Sequence, residues 1–311
     1  MTGHETAAMK KKVLTSIGVL GVTAIWGLSF PIMKNAMTEM TTLWLLAVRF
    51  TVASILLLAW QGRKLRGLGK KGLAVAFKLG GLLAMAYITQ NVGLSYTTAS
   101  NAAVITGFYV VLVPLLGWFA TRKLHISQII IAVIAFLALA VFSLDQELRI
   151  VGGDVWVLGG AVSYALHILM LDKYTKEYES MLLVAMQISA ATVILIISAL
   201  TLAPVPDFSG LSVNFWGAIA YTAILATMLG FGAQTAAQKV LPPATASVLF
   251  TAESLFGALF GVLLLNESFM LRQILGGLAL ILCMVAAVLD ADSVRNVWQR
   301  ISRKSSSRHP A

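Results

Sequence analysis

Three ionisable side chains stand inside long apolar stretches of this sequence and are its best candidates for chemistry: Glu253, Arg49 and His167. A charged group is costly in a low-dielectric environment, so such residues usually face an internal cavity or a partner and mark a functional site. Glu253 is therefore a candidate for binding a proton or a cation, and His167 for relaying a proton. Arg49 is a candidate for binding a substrate carboxylate or for pairing with Glu253.

Each of these residues also has a structural interpretation. The Glu253 carboxyl group could hydrogen-bond a neighbouring helix, and a neutral His167 could bond the hydroxyl group of nearby Ser163 or Tyr164. Arg49 could extend its head group to the membrane surface or bond the carbonyls at a helix end. The residues alone leave both interpretations open.

Aromatic and amide side chains fall in the same apolar stretches. Trp26, Tyr109 and Tyr164 lie near the middle of theirs, away from the interfaces where aromatic residues usually collect. Aromatic faces at that depth suit cationic or aromatic solutes, although packing between helices is an equal alternative. Three amides could likewise bind a polar solute or hold helices together: Asn101, Gln90 and Gln234.

Other chemistry finds little support in the sequence. Two of the four histidines, His4 and His309, lie in the terminal tails, and no His-Glu-x-x-His, Walker or Gly-x-Ser-x-Gly motif occurs. The single cysteine, Cys283, has no partner for a disulfide. We therefore predict no catalytic residues, no metal site, no cofactor and no enzymatic activity.

The composition indicates what positions these residues. Of 311 residues, 59% are hydrophobic and 12% charged, whereas a soluble domain carries about 25% charged residues. Crossing a bilayer as a helix takes about 20 apolar residues. Ten runs of that length occur, at 13–36, 41–60, 73–94, 98–120, 126–144, 154–172, 180–202, 214–237, 243–265 and 270–290. The predicted fold is an all-α integral membrane protein of ten transmembrane helices.

The placement of charge predicts the orientation. The net charge of +10 is spread over the tails and short loops, so it does not predict nucleic-acid binding. Lys and Arg concentrate on one side, and the positive-inside rule places both termini in the cytoplasm. This basic side comprises residues 10–12, 63–71, 122–123, 173–176, 239 and 295–308. We predict a multi-pass protein of the plasma membrane, the inner membrane in a bacterium, with the lipid bilayer as a partner.

The second half of the chain repeats the first. One offset aligns Trp26 with Tyr164 and Arg49 with Gln187, and a slightly larger one aligns Gln90 with Gln234. The predicted units are 13–144 and 152–290, between a tail at 1–12 and an amphipathic tail at 291–311. Five spans per unit is an odd number, so the two copies enter the membrane from opposite sides. Inverted repeats are typical of alternating-access transporters.

The sequence resembles the EamA-type proteins of the drug/metabolite transporter superfamily over about residues 13–290. The resemblance rests on the run 25–30 followed by Lys34, on Pro114 in the fourth span, and on the ninth-span run 251–258 with Gly261 and Asn266-Glu267. Ser254 departs from it, standing where the family usually has proline, and Arg122-Lys123 replaces an acidic residue. The resemblance implies export or uptake of amino acids, metabolites or toxic compounds without ATP.

Together these observations predict a secondary active transporter that exports a small metabolite by alternating access and is coupled to protons. The small-molecule substrate is an amino acid or related compound, or a cationic or aromatic solute. Its predicted contacts are Trp26, Asn101, Tyr109, Tyr164, His167, Glu253, Arg49, Gln90 and Gln234, with Glu253 and His167 as coupling candidates. A membrane channel or scaffold is the main alternative, ahead of a membrane enzyme. Monomer and homodimer remain equally open.

Overall fold

The hydrocarbon core of a membrane offers no hydrogen-bond partners, so an apolar chain must pair its backbone polar groups internally, as a helix does. A computed structural model describes residues 3–94, 96–97, 99–121, 125–143, 152–265 and 270–306, and in these ranges the chain forms helices and no strand. Ten helical segments are long and apolar enough to cross a membrane. The prediction of a ten-span, all-α membrane protein is confirmed.

The spans follow the predicted order along the chain. In the first half they are α1 (Gly3–Ala36), α2 (Thr42–Leu65), α3 (Lys70–Leu94), the pair α4 (Ala99–Gly107) and α5 (Tyr109–Thr121), and α6 (Ile126–Ser143). In the second half they are α7 (Gly152–Tyr174), α8 (Ser180–Leu202), a composite eighth span, a paired ninth span, and α13 (Leu271–Ser306). The eighth span comprises α9 (Val213–Tyr221), a π-helical segment (Thr222–Leu229) and α10 (Gly230–Ala237), and the ninth comprises α11 (Pro243–Phe250) and α12 (Ala252–Leu265).

The fourth and ninth spans are interrupted at corresponding positions. Phe108 separates α4 from α5, and Thr251 separates α11 from α12. The Thr251 hydroxyl donates to the Val248 carbonyl (2.6 Å), so a side chain competes with the backbone for that acceptor. The ninth span is thus broken although Ser254 replaces the family's proline.

A buried cluster on α2 and α8 lies where the two halves meet. The offset that aligns Trp26 with Tyr164 also pairs its members one by one: Leu46 with Val184, Phe50 with Ile188, Ala53 with Ala191, and Leu57 with Leu195. All eight side chains are at most 2% exposed. The repeat therefore extends from the sequence to the packing of the core.

Two further clusters show that the repeat is inverted. One includes Met33, Ala36 and Leu45 and lies beside loops 37–41 and 203–212, which together we call the distal face. The other contains their counterparts, Leu171, Tyr174 and Leu183, beside loops 66–69 and 175–179, which we call the N-terminal face. Equivalent residues lie at opposite ends of the bundle, as an inverted repeat requires.

Most helix contacts join one half to the other. The third span packs along the sixth, and the first span packs along the eighth and ninth. The fifth span packs along the tenth. The centre of the bundle is therefore lined by helices from both halves, and a site there draws residues from each.

Each face also carries a polar link between the halves. On the distal face, the backbone N–H and hydroxyl of Ser212 donate to Glu39 (2.8 and 2.7 Å). On the N-terminal face, Lys71 forms a salt bridge with Glu177 (2.9 Å), beside a second one between Lys64 and Glu179. Glu39 and Glu177 are separated by the same offset as Trp26 and Tyr164, so one link is the counterpart of the other.

The close packing of α3 on α8 depends on a glycine. A Cβ atom on Gly80 would lie 2.6 Å from the backbone oxygen of Gln187, whereas one on Gly81 would meet only the Ile194 side chain at 3.9 Å. We predict that Gly80→Ala lowers the free energy of unfolding by about 1–3 kcal/mol through overpacking. Gly81→Ala is the control, and thermal unfolding in detergent is the measurement. Equal stability of the two variants would show that the helices are not in tight contact at Gly80.

The Glu39 link predicts an acid-sensitive contact. The backbone and side-chain hydrogen bonds from Ser212 lower the pKa of Glu39. The stabilisation of this link by ionised Glu39 is therefore complete above the ordinary carboxyl pKa of about 4.3. It is lost as the pH falls through the lowered pKa of Glu39. Amide exchange around Ser212, corrected for intrinsic rates, should accelerate in that acid range.

Glu39→Gln should accelerate this exchange already at neutral pH and abolish its acid dependence. Asp207→Asn is the matched control. Asp207 lies in the same loop as Ser212, but it accepts hydrogen bonds only from Ser209. The same pH profile in Glu39→Gln and the wild type would contradict the assignment.

Candidate functional site

Three tyrosines from different spans meet in the middle of the bundle. Tyr109 begins α5 directly after the break in the fourth span, and Tyr164 and Tyr87 lie inside α7 and α3. The Tyr164 ring centroid is 5.9 Å from that of Tyr87 and 6.4 Å from that of Tyr109. These tilted, edge-on arrangements are ones that aromatic pairs prefer.

Hydrogen bonds hold one member of this group, Tyr164, in place. The Tyr164 hydroxyl donates to Gln90 Oε1 (3.3 Å), and Gln90 Nε2 donates to the Thr106 hydroxyl (3.0 Å). The three residues come from the sixth, third and fourth spans. A polar surface from three helices is thereby held beside the aromatic rings.

Glu253 lies on the opposite half of the same site. It stands in the first turn of α12, directly after the break in the ninth span, where the helix dipole favours a carboxylate. The offset that aligns Gln90 with Gln234 also aligns Tyr109 with Glu253. Both breaks therefore place a side chain of the candidate site at the start of the second half-helix.

The Glu253 carboxylate interacts electrostatically with Arg49 and with the tyrosine group. Among the residues that the structure describes, it accepts no hydrogen bond and forms no ion pair within 4 Å. Glu253 and the three tyrosines are half-buried, although they lie between packed helices. Each of these four side chains therefore keeps part of its surface accessible.

Arg49 contributes the positive charge of the site. It is 6% exposed, its Nε donates to the Thr227 hydroxyl (2.7 Å), and its Cζ lies 5.8 Å from the ring centroids of Phe50 and Tyr87. Its burial shows that the head group does not extend to the membrane surface. Within the described part of the chain, the predicted pairing with Glu253 is electrostatic and not a direct contact.

Trp26 borders the site from the first span. Its Nε1 donates to the Ala226 carbonyl (2.8 Å), and its ring packs against Phe231 and Phe250 at centroid distances of 5.9 and 5.8 Å. Gly230 permits this approach, because a Cβ atom there would lie 2.6 Å from Nε1.

His167 is 1% exposed and lies on the far side of Phe231, at a centroid distance of 6.4 Å. Its Nε2 is 2.6 Å from Gln187 Oε1, so its partner is an amide of the seventh span and not the expected hydroxyl group. The nearby Ser163 hydroxyl is occupied, because it donates to the Gly159 carbonyl.

The remaining predicted residues are distributed differently. Gln234 is buried and donates to Gln238 (3.4 Å), which in turn donates to the Ile168 carbonyl (2.8 Å), so it takes part in helix packing. Asn101 belongs to α4, but its side chain lies outside the described part of the structure. The same holds for the Lys34 side chain and for residues 122–123 and 266–267 of the family resemblance.

Comparison with known proteins decides the family. The sequence pattern of the EamA-like transporter family matches residues 14–144 and 151–289, nearly the whole chain in two copies. The chain belongs to the EamA-like transporter family. It is a multi-pass membrane transporter, as the resemblance in the sequence predicted.

Individual proteins agree with this assignment. An "Uncharacterized transporter" of Archaeoglobus fulgidus is 29% identical over 283 residues, covering 90% of this chain and 87% of that one. The "Uncharacterized transporter YyaM" of Bacillus subtilis is 27% identical over 230 residues, covering 69% and 74%. A solved crystal structure with 14% identity has a TM-score of 0.75 and covers 92% of this chain and 99% of that chain, which shows a shared fold.

The sequence did not predict several contacts of this EamA-like site. Tyr87 lies one helical turn from Gln90 and shares its face, a signal that spacing could have provided. Thr227 and the π-helical segment left no such signal, because their partners come from distant spans. No group of three or more His, Cys, Asp or Glu side chains that could hold a metal occurs among the described residues.

Proposed function

We propose that this EamA-like protein is a proton-coupled secondary transporter that exports a small metabolite across the plasma membrane by alternating access. The observation that carries the proposal is the pair of opposite charges, Glu253 and Arg49, which face one half-buried aromatic site without forming an ion pair in the described structure. Two unjoined charges in a low-dielectric interior favour a ligand that complements both.

Amino acids and related compounds fit this arrangement best. A substrate carboxylate can bind the Arg49 guanidinium, and a substrate ammonium group can bind the Glu253 carboxylate and the faces of the tyrosine rings. The amide and hydroxyl groups of Gln90 and Tyr164 can bind further polar atoms. A cationic aromatic solute would use Glu253 and the rings without Arg49.

Glu253 is the proposed coupling residue because its carboxylate can bind either a proton or the substrate cation. Competition between the two at one group makes them cross the membrane in opposite directions. Protons move inward across an energised plasma membrane, so the substrate moves outward. His167 is the second candidate, since it lies behind Phe231, although its bond to Gln187 separates it from the tyrosine group.

Alternating access is supported by the inverted repeat and by the two broken spans. Tyr109 and Glu253 occupy equivalent positions at the breaks. The proposed site therefore lies close to the pseudo-two-fold axis that relates the two halves. Discontinuous helices at such a position are a recurring feature of transporters with inverted repeats. The concentration of Lys and Arg supports the assignment of the N-terminal face to the cytoplasm.

We predict that Glu253→Gln abolishes substrate efflux driven by a pH gradient, because the amide cannot exchange a proton. Liposomes containing the protein would be loaded with an equimolar mixture of the twenty common amino acids or with tetraphenylphosphonium. Efflux would be followed by mass spectrometry, and size-exclusion chromatography would check that the variant is folded. Asp207→Asn, a carboxylate change in an exposed loop, is the control and should behave as the wild type.

Unchanged pH-driven efflux in Glu253→Gln would exclude Glu253 as the coupling residue. The channel alternative makes a separate prediction in the same liposomes. A transporter shows counterflow, in which unlabelled substrate on one side drives labelled substrate to accumulate on the other, and a channel does not.

A further inference from the structure

The eighth span contains the one π-helical segment in the described structure, Thr222–Leu229. π-Helical turns are rare and are frequently found at functional sites. Its counterpart in the other half, the third span, is α-helical from Lys70 to Leu94. The segment therefore breaks the symmetry of the fold and does not arise from the repeat.

Two consecutive residues of this segment hold side chains of the candidate site. The Ala226 carbonyl accepts from Trp26 of the first span, and the Thr227 hydroxyl accepts from Arg49 of the second span. Gly230, one residue beyond the segment, provides the space for the indole. Side chains from two other spans are thus fixed by one turn of a third.

The other half of the molecule lacks this arrangement. The repeat offsets align Arg49 with Gln187 and Thr227 with Leu83, and Leu83 offers no hydrogen-bond acceptor on its side chain. Gln187 instead bonds His167, and its Nε2 is buried with no hydrogen-bond partner in the described structure. Because this contact occurs in only one half, the repeated scaffold does not require it.

We propose that Thr227 is a positioning residue: it holds the Arg49 guanidinium beside Tyr87 and, through the π-helical segment, couples Arg49 to Trp26. This inference rests on the proposed function, since it treats Arg49 as a substrate contact. Thr227 is fully buried and bonds Arg49 at 2.7 Å, so it acts through Arg49 and not by touching the substrate itself.

Thr227→Val tests the proposal, because valine has nearly the same shape but leaves Arg49 Nε without its acceptor. A hydrogen bond to a charged group contributes about 1.5–3 kcal/mol, so the apparent KM of a transported amino acid should rise at least about tenfold. Vmax should change much less. Thr227→Ser, which keeps the hydroxyl group, should restore the wild-type KM.

Thr222→Val is the matched control. Thr222 lies in the same π-helical segment and is equally buried, but its hydroxyl bonds only the Ala218 and Ile219 carbonyls of its own span. Liposome efflux of one amino acid that the wild type exports from the mixture, measured over a range of internal concentrations, gives KM and Vmax for each variant. A loss of Vmax at constant KM, or the same effect from Thr222→Val, would overturn the proposal.

A second measurement needs no substrate. In protein labelled with 5-fluorotryptophan, the ¹⁹F resonance of Trp26 can be assigned by its loss in Trp26→Phe. Thr227→Val should shift that resonance, and Thr227→Ser and Thr222→Val should not. If the wild type exports none of the amino acids, the proposed substrate class fails, and the resonance alone decides the positioning role. An unshifted Trp26 resonance in Thr227→Val would overturn it.

Discussion

The cost of leaving a polar group unpaired inside a membrane governs this structure. It makes the chain helical, and it favours a hydrogen-bond partner for each intramembrane polar side chain, on its own helix or on another. Most of them find one: Trp26 bonds a carbonyl of the eighth span, and His167 bonds an amide of the seventh. Among the described residues, Glu253 instead interacts only electrostatically, in a half-buried position. Unlike the buried, unbonded Nε2 of Gln187, this carboxylate is partly exposed, which distinguishes the candidate site from the packing around it.

The two halves of the inverted repeat share their packing but differ in the side chains of the candidate site. Equivalent apolar residues such as Phe50 and Ile188 pack in one central cluster. Equivalent positions at the helix breaks hold Tyr109 in one half and Glu253 in the other. A symmetric scaffold can exchange two conformations of similar energy, while an asymmetric site can bind a ligand with two different ends. This combination is the basis of the proposed transport of zwitterionic or cationic solutes.

The sequence predicted much of the fold, because its signals are local or periodic. Apolar runs gave the ten spans, and constant offsets gave the repeat. It also singled out residues that the structure places around the candidate site, since Glu253 and Arg49 are conspicuous in apolar runs. It did not reveal the partners: the bonds of Trp26 to Ala226 and of Arg49 to Thr227 join residues 200 and 178 positions apart. The prediction that a hydroxyl group bonds His167 was wrong for a related reason. The Tyr164 hydroxyl bonds Gln90 of the third span, and His167 bonds Gln187 of the seventh.

The central claim is that one site, between the halves, opens alternately to the two faces. The chain has a single cysteine, Cys283, so Cys283→Ala gives a background in which Tyr109→Cys carries the only thiol. A membrane-impermeant maleimide would be applied to vesicles of either orientation. The account predicts labelling from both faces, with the balance between them shifting when a proton gradient is imposed. Labelling from one face only, under every gradient, would contradict it.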